Sequence, residues 1–78
     1  MNDQETHMHF ALCLDNAGYE VSLELGKLYR VVTDSQAEEH GYIRIIDESG
    51  EDYAYSIERF YQLTLPEPVE QTLLLAMA

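Results

Sequence analysis

The chain has 78 residues, enough for one small domain, and its 15 Asp and Glu residues against 4 Lys and Arg residues give a net charge of −11 at pH 7. So few basic residues argue against direct binding to nucleic acid, and no apolar run reaches the roughly 18 residues that a membrane span needs. Because it has no recognisable secretory signal and a single cysteine that cannot form an internal disulfide, the chain is expected to be a cytoplasmic globular domain.

The N-terminal part predicts one strand. Residues 1–6 are polar and are expected to be frayed, whereas Thr6–Leu14 alternates between two faces, as a strand does. One face is apolar and consists of Met8, Phe10, Leu12 and Leu14. The other face consists of His7, His9, Ala11 and Cys13. The apolar face is expected to pack inward and the second face to be exposed.

The rest of the chain predicts four more strands and two helical segments. In chain order these are a strand at Lys27–Thr33, a helical turn within Asp34–Gly41, strands at Tyr42–Asp47 and Asp52–Ser56, a tight turn at Ile57–Phe60, a strand at Tyr61–Leu65 and a helix at Val69–Met77. Asp34 or Ser35 is expected to cap the helical turn, and Ser49–Gly50 to close the hairpin. The residues expected to face the core are Tyr29, Val31, Ile43 and Ile45.

Five short strands with tight turns predict a mainly β domain built as a small closed or nearly closed antiparallel barrel, because closure removes exposed sheet edges. The expected organisation is a single domain over residues 1–78, with the barrel at 7–65 and the C-terminal helix at 66–78. A helix this short is stable in water only when it docks. Its leucine-rich end is therefore expected either to cover an open face of the barrel or to pair two chains as a homodimer.

Two segments resemble barrels of the Src-homology-3-like (SH3-like) class. Residues 23–31 resemble the diverging turn and the strand that follows it, and residues 50–60 resemble the last hairpin, the single 3₁₀ turn and the closing strand. Together with Tyr42–Tyr53, they make the chain similar, over roughly residues 11–73, to a family of short bacterial proteins of uncharacterised function. The resemblance implies a five-stranded SH3-like barrel and a bacterial origin, but no activity. The chain departs from peptide-binding SH3 domains because it has no tryptophan.

Two groups of side chains contain residue types that ligate metals, but for both groups an ordinary structural role is favoured over a metal site. His7, His9 and Cys13 share a strand face but lack the paired-cysteine spacing of zinc sites, so an exposed polar face is the favoured interpretation. Four acidic residues crowd the predicted hairpin turn: Asp47, Glu48, Glu51 and Asp52. Their spacing does not match a calcium loop, which favours a solvated turn. No metal and no other cofactor is expected.

Enzyme chemistry is not favoured either. His9 and Cys13 would lie about 13 Å apart along one strand, too far for a thiol–imidazole pair. Carboxylates are plentiful, but no pattern marks a buried acid–base pair, and no glycine-rich phosphate loop is present. We therefore expect a protein that is not an enzyme.

Tyrosine is the residue type that points to a function, since the chain has 6 of them and tyrosine is enriched at protein interfaces. Tyr53 and Tyr55 share one face of a strand, and Tyr42 and Arg44 share one face of its neighbour. If the hairpin pairs in register, these four form one patch, which either packs beneath the C-terminal helix or binds a protein partner. The leading hypothesis is a non-catalytic interaction or accessory module with an unidentified protein partner. The alternative is an acidic regulator that blocks a basic, nucleic-acid-binding partner.

Overall fold

The computed structural model describes residues 9–76, so the expected frayed segment 1–6 and His7 lie outside the described residues. Its elements are β1 (Phe10–Cys13), β2 (Leu28–Val32), α1 (Ser35–Glu39), β3 (Tyr42–Ile46), β4 (Asp52–Ser56), a 3₁₀ turn (Ile57–Arg59), β5 (Phe60–Leu63) and α2 (Glu67–Ala76). The mainly β class, the five strands and the C-terminal helix are confirmed. None of the helices in this range is long and apolar enough to cross a membrane.

The strands form one antiparallel sheet in the order β4-β3-β2-β1-β5. Over the described residues the sheet is not closed, and β4 and β5 are its edges. Only the 3₁₀ turn, three residues long, joins these two edges. From Ser56 to Phe60 the chain makes four Cα-to-Cα steps and spans at most about 14 Å, whereas the edges of a flat five-stranded sheet lie about 19 Å apart. The sheet must therefore curl strongly, so that its two edges approach each other.

The core lies on the concave side of this curl. Its buried side chains are Ala11, Cys13, Leu23, Tyr29, Ile43, Ile45, Tyr55 and Phe60, with Val31 and Ile57 packed against them. The four core positions predicted on β2 and β3 are thus all in or against the core. Burial of this cluster is the main source of stability in a sheet whose edges are unpaired.

The face assignment of β1 was wrong for two residues. Cys13 is 1% exposed and Ala11 is 0% exposed, so they lie in the core, whereas His9 on the same face is exposed as expected. The register pairs Ala11 with Tyr29 and Cys13 with Phe60, and small side chains fit opposite large rings in a closely packed interior. Phe10 projects from the opposite face and is also buried, at 1% exposed. Alternation separates two faces, but where both faces are apolar it does not say which one meets the core.

Local turn chemistry follows the prediction closely. The Asp34 carboxylate accepts a hydrogen bond from the Ala37 N–H at 3.0 Å, which makes Asp34 the N-cap of α1. Gly41, at φ +82°, ends that helix. Gly50, at φ +86°, lies in the turn between β3 and β4, where a side chain would be strained.

The C-terminal helix meets the sheet lightly. Glu70 forms an ion pair with His9, and Leu74 lines a cleft beside β2. No side chain of α2 that the structure describes is buried, and Val69 and Leu75 are 45% and 77% exposed. The apolar surface of the helix is thus largely uncovered, and a homodimer through it stays a prediction.

Candidate functional site

The four residues predicted to bind a partner lie on two opposite faces of the β3–β4 hairpin. The register pairs Ile43 with Tyr55, and directly opposed residues of antiparallel strands project to the same face. Tyr53 and Tyr55 therefore share the face of the buried isoleucines, while Tyr42 and Arg44 project from the other face. The expectation of a single four-residue patch was wrong, whereas a partner-binding role for either half stays a prediction.

Arg44 is engaged within the chain. Its Nε donates to Asp34 Oδ2 at 2.9 Å, and its Nη1 lies 3.6 Å from Asp52 Oδ1. The hydrogen bond to Asp34 raises the pKa of Arg44, while the Ala37 N–H and then Arg44 lower the pKa of Asp34. Arg44 thus ties the cap of α1 to β3, and Tyr42, 47% exposed, is the aromatic side chain that this face presents to solvent.

Tyr53 and Tyr55 line a cleft of about 290 Å³ on the other side of the hairpin. Its lining, which we term the tyrosine cleft, includes Tyr19, Ser22, Asp47, Ser49, Tyr53 and Tyr55. Tyr19 and Tyr53 are 44% and 50% exposed, whereas Tyr55 is 7% exposed. Two half-exposed rings therefore stand at the rim, and a buried ring lies at the floor.

Tyr19 is the rim residue that sequence reasoning did not place at the site. It comes from the loop between β1 and β2, and its ring meets that of Tyr55 edge-on, with centroids 5.1 Å apart. The Arg59 guanidinium lies 4.7 Å from the Tyr19 ring centroid and donates to the carbonyl oxygens of Asp15 and Ala17 at 3.2 and 3.0 Å. The 3₁₀ turn thereby positions the loop. No local pattern signals a contact between residues so distant in the chain.

Asp47 is the buried carboxylate of the tyrosine cleft, at 6% exposed. It accepts hydrogen bonds from the Ser49 N–H at 2.9 Å, the Ser49 hydroxyl at 2.5 Å and the Tyr55 hydroxyl at 2.7 Å. Burial by itself would raise the pKa of Asp47, but the hydrogen bonds from Ser49 and Tyr55 outweigh it and lower that pKa. Burial and the neighbouring carboxylate raise the pKa of Tyr55 to about 12. At neutral pH the floor therefore carries an ionised Asp47 and a protonated tyrosine.

Glu48, the next residue, holds a different tyrosine. Its Oε2 accepts hydrogen bonds from Lys27 Nζ at 2.6 Å and from the Tyr29 hydroxyl at 2.5 Å. The Tyr29 oxygen in turn accepts the Glu24 N–H at 2.7 Å. Lys27 and then Tyr29 lower the pKa of Glu48, while burial and Glu48 raise the pKa of Tyr29. This group pins the turn onto β2.

The residues with metal-ligating chemistry do not come together. His9 is paired with Glu70 at the end of α2, while Cys13 lies in the core, where burial raises the pKa of its thiol and disfavours the thiolate that binds metals. Asp52, in the acidic hairpin, faces Arg44. Within residues 9–76, no three His, Cys, Asp or Glu side chains are grouped so as to hold a metal ion.

The side chains that line the tyrosine cleft are suited to binding a ligand. It offers aromatic faces, two serine hydroxyls and one ionised carboxylate, all within a volume that suits a side chain. Comparison with known proteins gives no relative, since no family model, no curated protein and no solved structure matches the chain. The functional assignment therefore rests on the geometry of the cleft.

Proposed function

We propose that this chain is a non-catalytic protein-interaction module of SH3-like fold that binds its partner at the tyrosine cleft. Support for the SH3-like arrangement comes from the curled five-stranded sheet and from the single 3₁₀ turn that leads from β4 into β5. The resemblance of the sequence implies a five-stranded SH3-like barrel, and for residues 50–60 it implies the last hairpin, the 3₁₀ turn and the closing strand. The resemblance brings no function, so the role is argued from the cleft.

The observation that carries the proposal is the pair of half-exposed tyrosines at the rim, Tyr19 and Tyr53. Tyrosine anchors many protein interfaces because it presents a rigid apolar ring and a polar tip with few rotatable bonds. A cleft of about 290 Å³ is at the lower limit for small-molecule sites, but it accommodates one inserted side chain. The partner is therefore a protein that contributes a side chain, and not a free substrate.

The rim is also held in place before any partner arrives. Tyr19 is fixed by Arg59 on one side and by Tyr55 on another. The Tyr53 hydroxyl donates to Glu51 at 3.4 Å, a long hydrogen bond that leaves its ring face open. Side chains ordered in the free protein lose less entropy on binding.

Two exposed tyrosines on opposite faces of one hairpin make a matched test. The tagged full-length chain, its Tyr53→Ala variant and its Tyr42→Ala variant are each used to capture proteins from lysate, with bound proteins quantified by mass spectrometry. We expect a partner that Tyr53→Ala loses and Tyr42→Ala keeps, after thermal melts confirm that both variants are folded. If only Tyr42→Ala lost the partner, the binding site would lie on the face of Tyr42 and not at the tyrosine cleft. Equal capture by all three proteins would refute an interface at either tyrosine.

The acidic-regulator alternative is favoured by one observation, the distribution of charge. The net charge is −11, and Lys27, Arg44 and Arg59 are all engaged by carboxylates of the chain itself. A basic partner would therefore meet a surface with few free cations. This function predicts capture that weakens strongly between low and high salt and that survives Tyr53→Ala. Capture that withstands high salt would exclude it.

A further inference from the structure

We infer that the tyrosine cleft recognises the guanidinium of an arginine side chain presented by the partner. The inference rests on the proposed function and adds to it the chemistry of the group that is bound. It follows from three observations: within residues 9–76, a buried negative charge with no ion-paired cation, the half-exposed ring of Tyr53 in the same cleft, and a neighbouring carboxylate that already has its cation.

The buried charge is that of Asp47. Its three hydrogen-bond donors, two on Ser49 and one on Tyr55, are all neutral, and within residues 9–76 no Lys, Arg or His forms an ion pair with it. A buried ionised group is costly unless it is paired. A carboxylate accepts about four hydrogen bonds, and three are made here. From the described part of the chain, Oδ2 accepts the Tyr55 hydroxyl alone, so it retains capacity for a further donor.

The aromatic rings supply the second element of a cation site. A guanidinium is attracted to the face of a tyrosine ring within about 6 Å of its centroid. The molecule already shows this with its own side chains, since Arg59 lies 4.7 Å from the centroid of Tyr19. Tyr53, 50% exposed, has no such neighbour among the described residues and offers its ring to solvent beside Asp47.

The adjacent Glu48 shows how a cation binds beside a carboxylate–tyrosine pair in this turn. Glu48 binds the hydroxyl of a buried tyrosine, as Asp47 does, but it also receives Lys27 at 2.6 Å. The Lys27 ammonium lies 5.4 Å from the ring centroid of Tyr29, so carboxylate and aromatic ring share one cation. Asp47 and Tyr55 repeat the carboxylate–tyrosine pair without the cation. A partner's side chain would complete the second group as Lys27 completes the first.

Arginine suits the tyrosine cleft better than lysine does. Its planar guanidinium donates several hydrogen bonds in a fixed fork and stacks on aromatic rings, so it can bind a carboxylate and a tyrosine together. The excess of 15 acidic over 4 basic residues favours the approach of a basic segment. The serine hydroxyls of the lining, on Ser22 and Ser49, can accept the remaining N–H groups.

The test is an NMR titration of the isotope-labelled full-length chain with N-acetylarginine amide, with the neutral isostere N-acetylcitrulline amide and with N-acetyllysine amide. We expect saturable amide shifts at Tyr19, Ser49 and Tyr53 with the arginine probe, weaker shifts with lysine and none with citrulline. Asp47→Asn keeps the shape and an acceptor but removes the charge, and should weaken binding about tenfold. Glu39→Gln removes one charge on exposed α1 and should leave binding unchanged.

Several outcomes overturn the inference. Equal shifts with arginine and citrulline, no saturable shifts, or an Asp47→Asn variant that binds as well as the wild type would each do so. Stronger binding of lysine than of arginine would overturn the choice of guanidinium. Tyr53→Ala provides a second variant, because an exposed side chain can be removed without unfolding and its loss should also weaken binding.

Selection of peptides from a displayed random library separates this inference from the proposed function. Tyr53-dependent peptides enriched in arginine support both. Tyr53-dependent peptides without arginine or lysine leave the interaction module standing and refute the arginine site. The absence of any Tyr53-dependent peptide refutes both.

Discussion

The turn between β3 and β4 carries two adjacent carboxylates that each hold a buried tyrosine, yet the two groups differ in charge balance. Glu48 binds Tyr29 and is neutralised by Lys27. Among the residues that the structure describes, Asp47 receives hydrogen bonds only from neutral donors, Tyr55 and Ser49, although it is the more deeply buried carboxylate, at 6% exposed. The same pairing of residue types thus occurs once with its cation and once without.

The difference shows how one turn serves two purposes. Glu48 and its partners join the turn to β2, the strand next to β3 in the sheet. Asp47 joins the turn to β4 and leaves its charge facing a cleft with open aromatic rings. A compensated charge stabilises the fold, whereas an uncompensated charge in a cleft is a candidate for ligand recognition.

The largest expected effect on stability comes from removing one of the two buried tyrosine rings, that of Tyr29 beside Glu48 or that of Tyr55 beside Asp47. Tyr29→Ala and Tyr55→Ala should each lower the free energy of unfolding by about 3–5 kcal/mol, because a large aromatic side chain leaves the core and a cavity remains. Tyr61→Ala, which removes a tyrosine that is 63% exposed, should change it by less than about 1 kcal/mol. Urea denaturation measures all three. A small effect at Tyr55 would show that the cleft floor is not part of the core.

Removing the carboxylate of Asp47 should destabilise the fold more than removing the carboxylate of Glu48. Asp47→Ala leaves the buried Tyr55 hydroxyl and the part-buried Ser49 N–H without their acceptor, which should cost about 2–3 kcal/mol. Glu48→Ala should cost about 1 kcal/mol, because Lys27 is half-exposed and the Glu48–Tyr29 hydrogen bond is only part-buried, so water can replace the carboxylate. The same denaturation experiment decides, and equal losses would remove the distinction between the two carboxylates.

The tyrosines predict a loss of stability at alkaline pH. The pKa of Tyr55 is raised to about 12 in the folded chain, above its ordinary value near 10. Its contribution is therefore complete below pH ~10 and is lost as the pH rises through about 12, because the unfolded state releases the proton first. Tyr29, whose pKa is also raised, acts in the same direction.

Urea unfolding at a series of alkaline pH values checks this. Tyr55→Phe should flatten the decline, and the Tyr29→Phe/Tyr55→Phe double variant should flatten it further. An unchanged slope in both variants would assign the decline to other groups.

The smallest expected effect on stability comes from removing the charge of Lys27, the cation that pairs with Glu48. Lys27→Met keeps the aliphatic chain over the Tyr29 ring but removes the charge, and should lower stability by less than about 1 kcal/mol, since the ion pair is partly exposed. The wild type should lose about the same increment in high salt, and the variant should not. A loss of several kcal/mol would mean that Glu48 depends on its cation far more than its exposure suggests.

Local chemistry made much of the fold predictable from sequence. The Asp34 cap, the Ser49–Gly50 turn and the bounds of β4 each depend on a few neighbouring residues, and the structure confirms them. The core positions on β2 and β3 followed from alternation, because the opposite face of each strand carries an arginine, Arg30 on β2 and Arg44 on β3. On β1 the same reasoning failed, because Ala11 and Cys13 are small enough to pack against rings that come from other strands.

The candidate site was only partly predictable. Tyr53 and Tyr55 were singled out correctly as sharing a strand face, but the hairpin register placed Tyr42 and Arg44 on the opposite side. A shift of one residue in register exchanges the two faces, and the alternating pattern of this hairpin fits either arrangement. Tyr19 reached the cleft through Arg59, a contact between a loop and the 3₁₀ turn.

The sequence by itself determined the elements, their order, the turn residues and the acidic character of the chain, because these depend on neighbouring residues and composition. Only the tertiary structure decided that Ala11 and Cys13 are buried, which tyrosines share a cleft and that Asp47 is buried with no ion pair to another residue of the range 9–76. Those properties depend on strand register and on contacts between residues distant in the chain, which are set by the packing of the whole core.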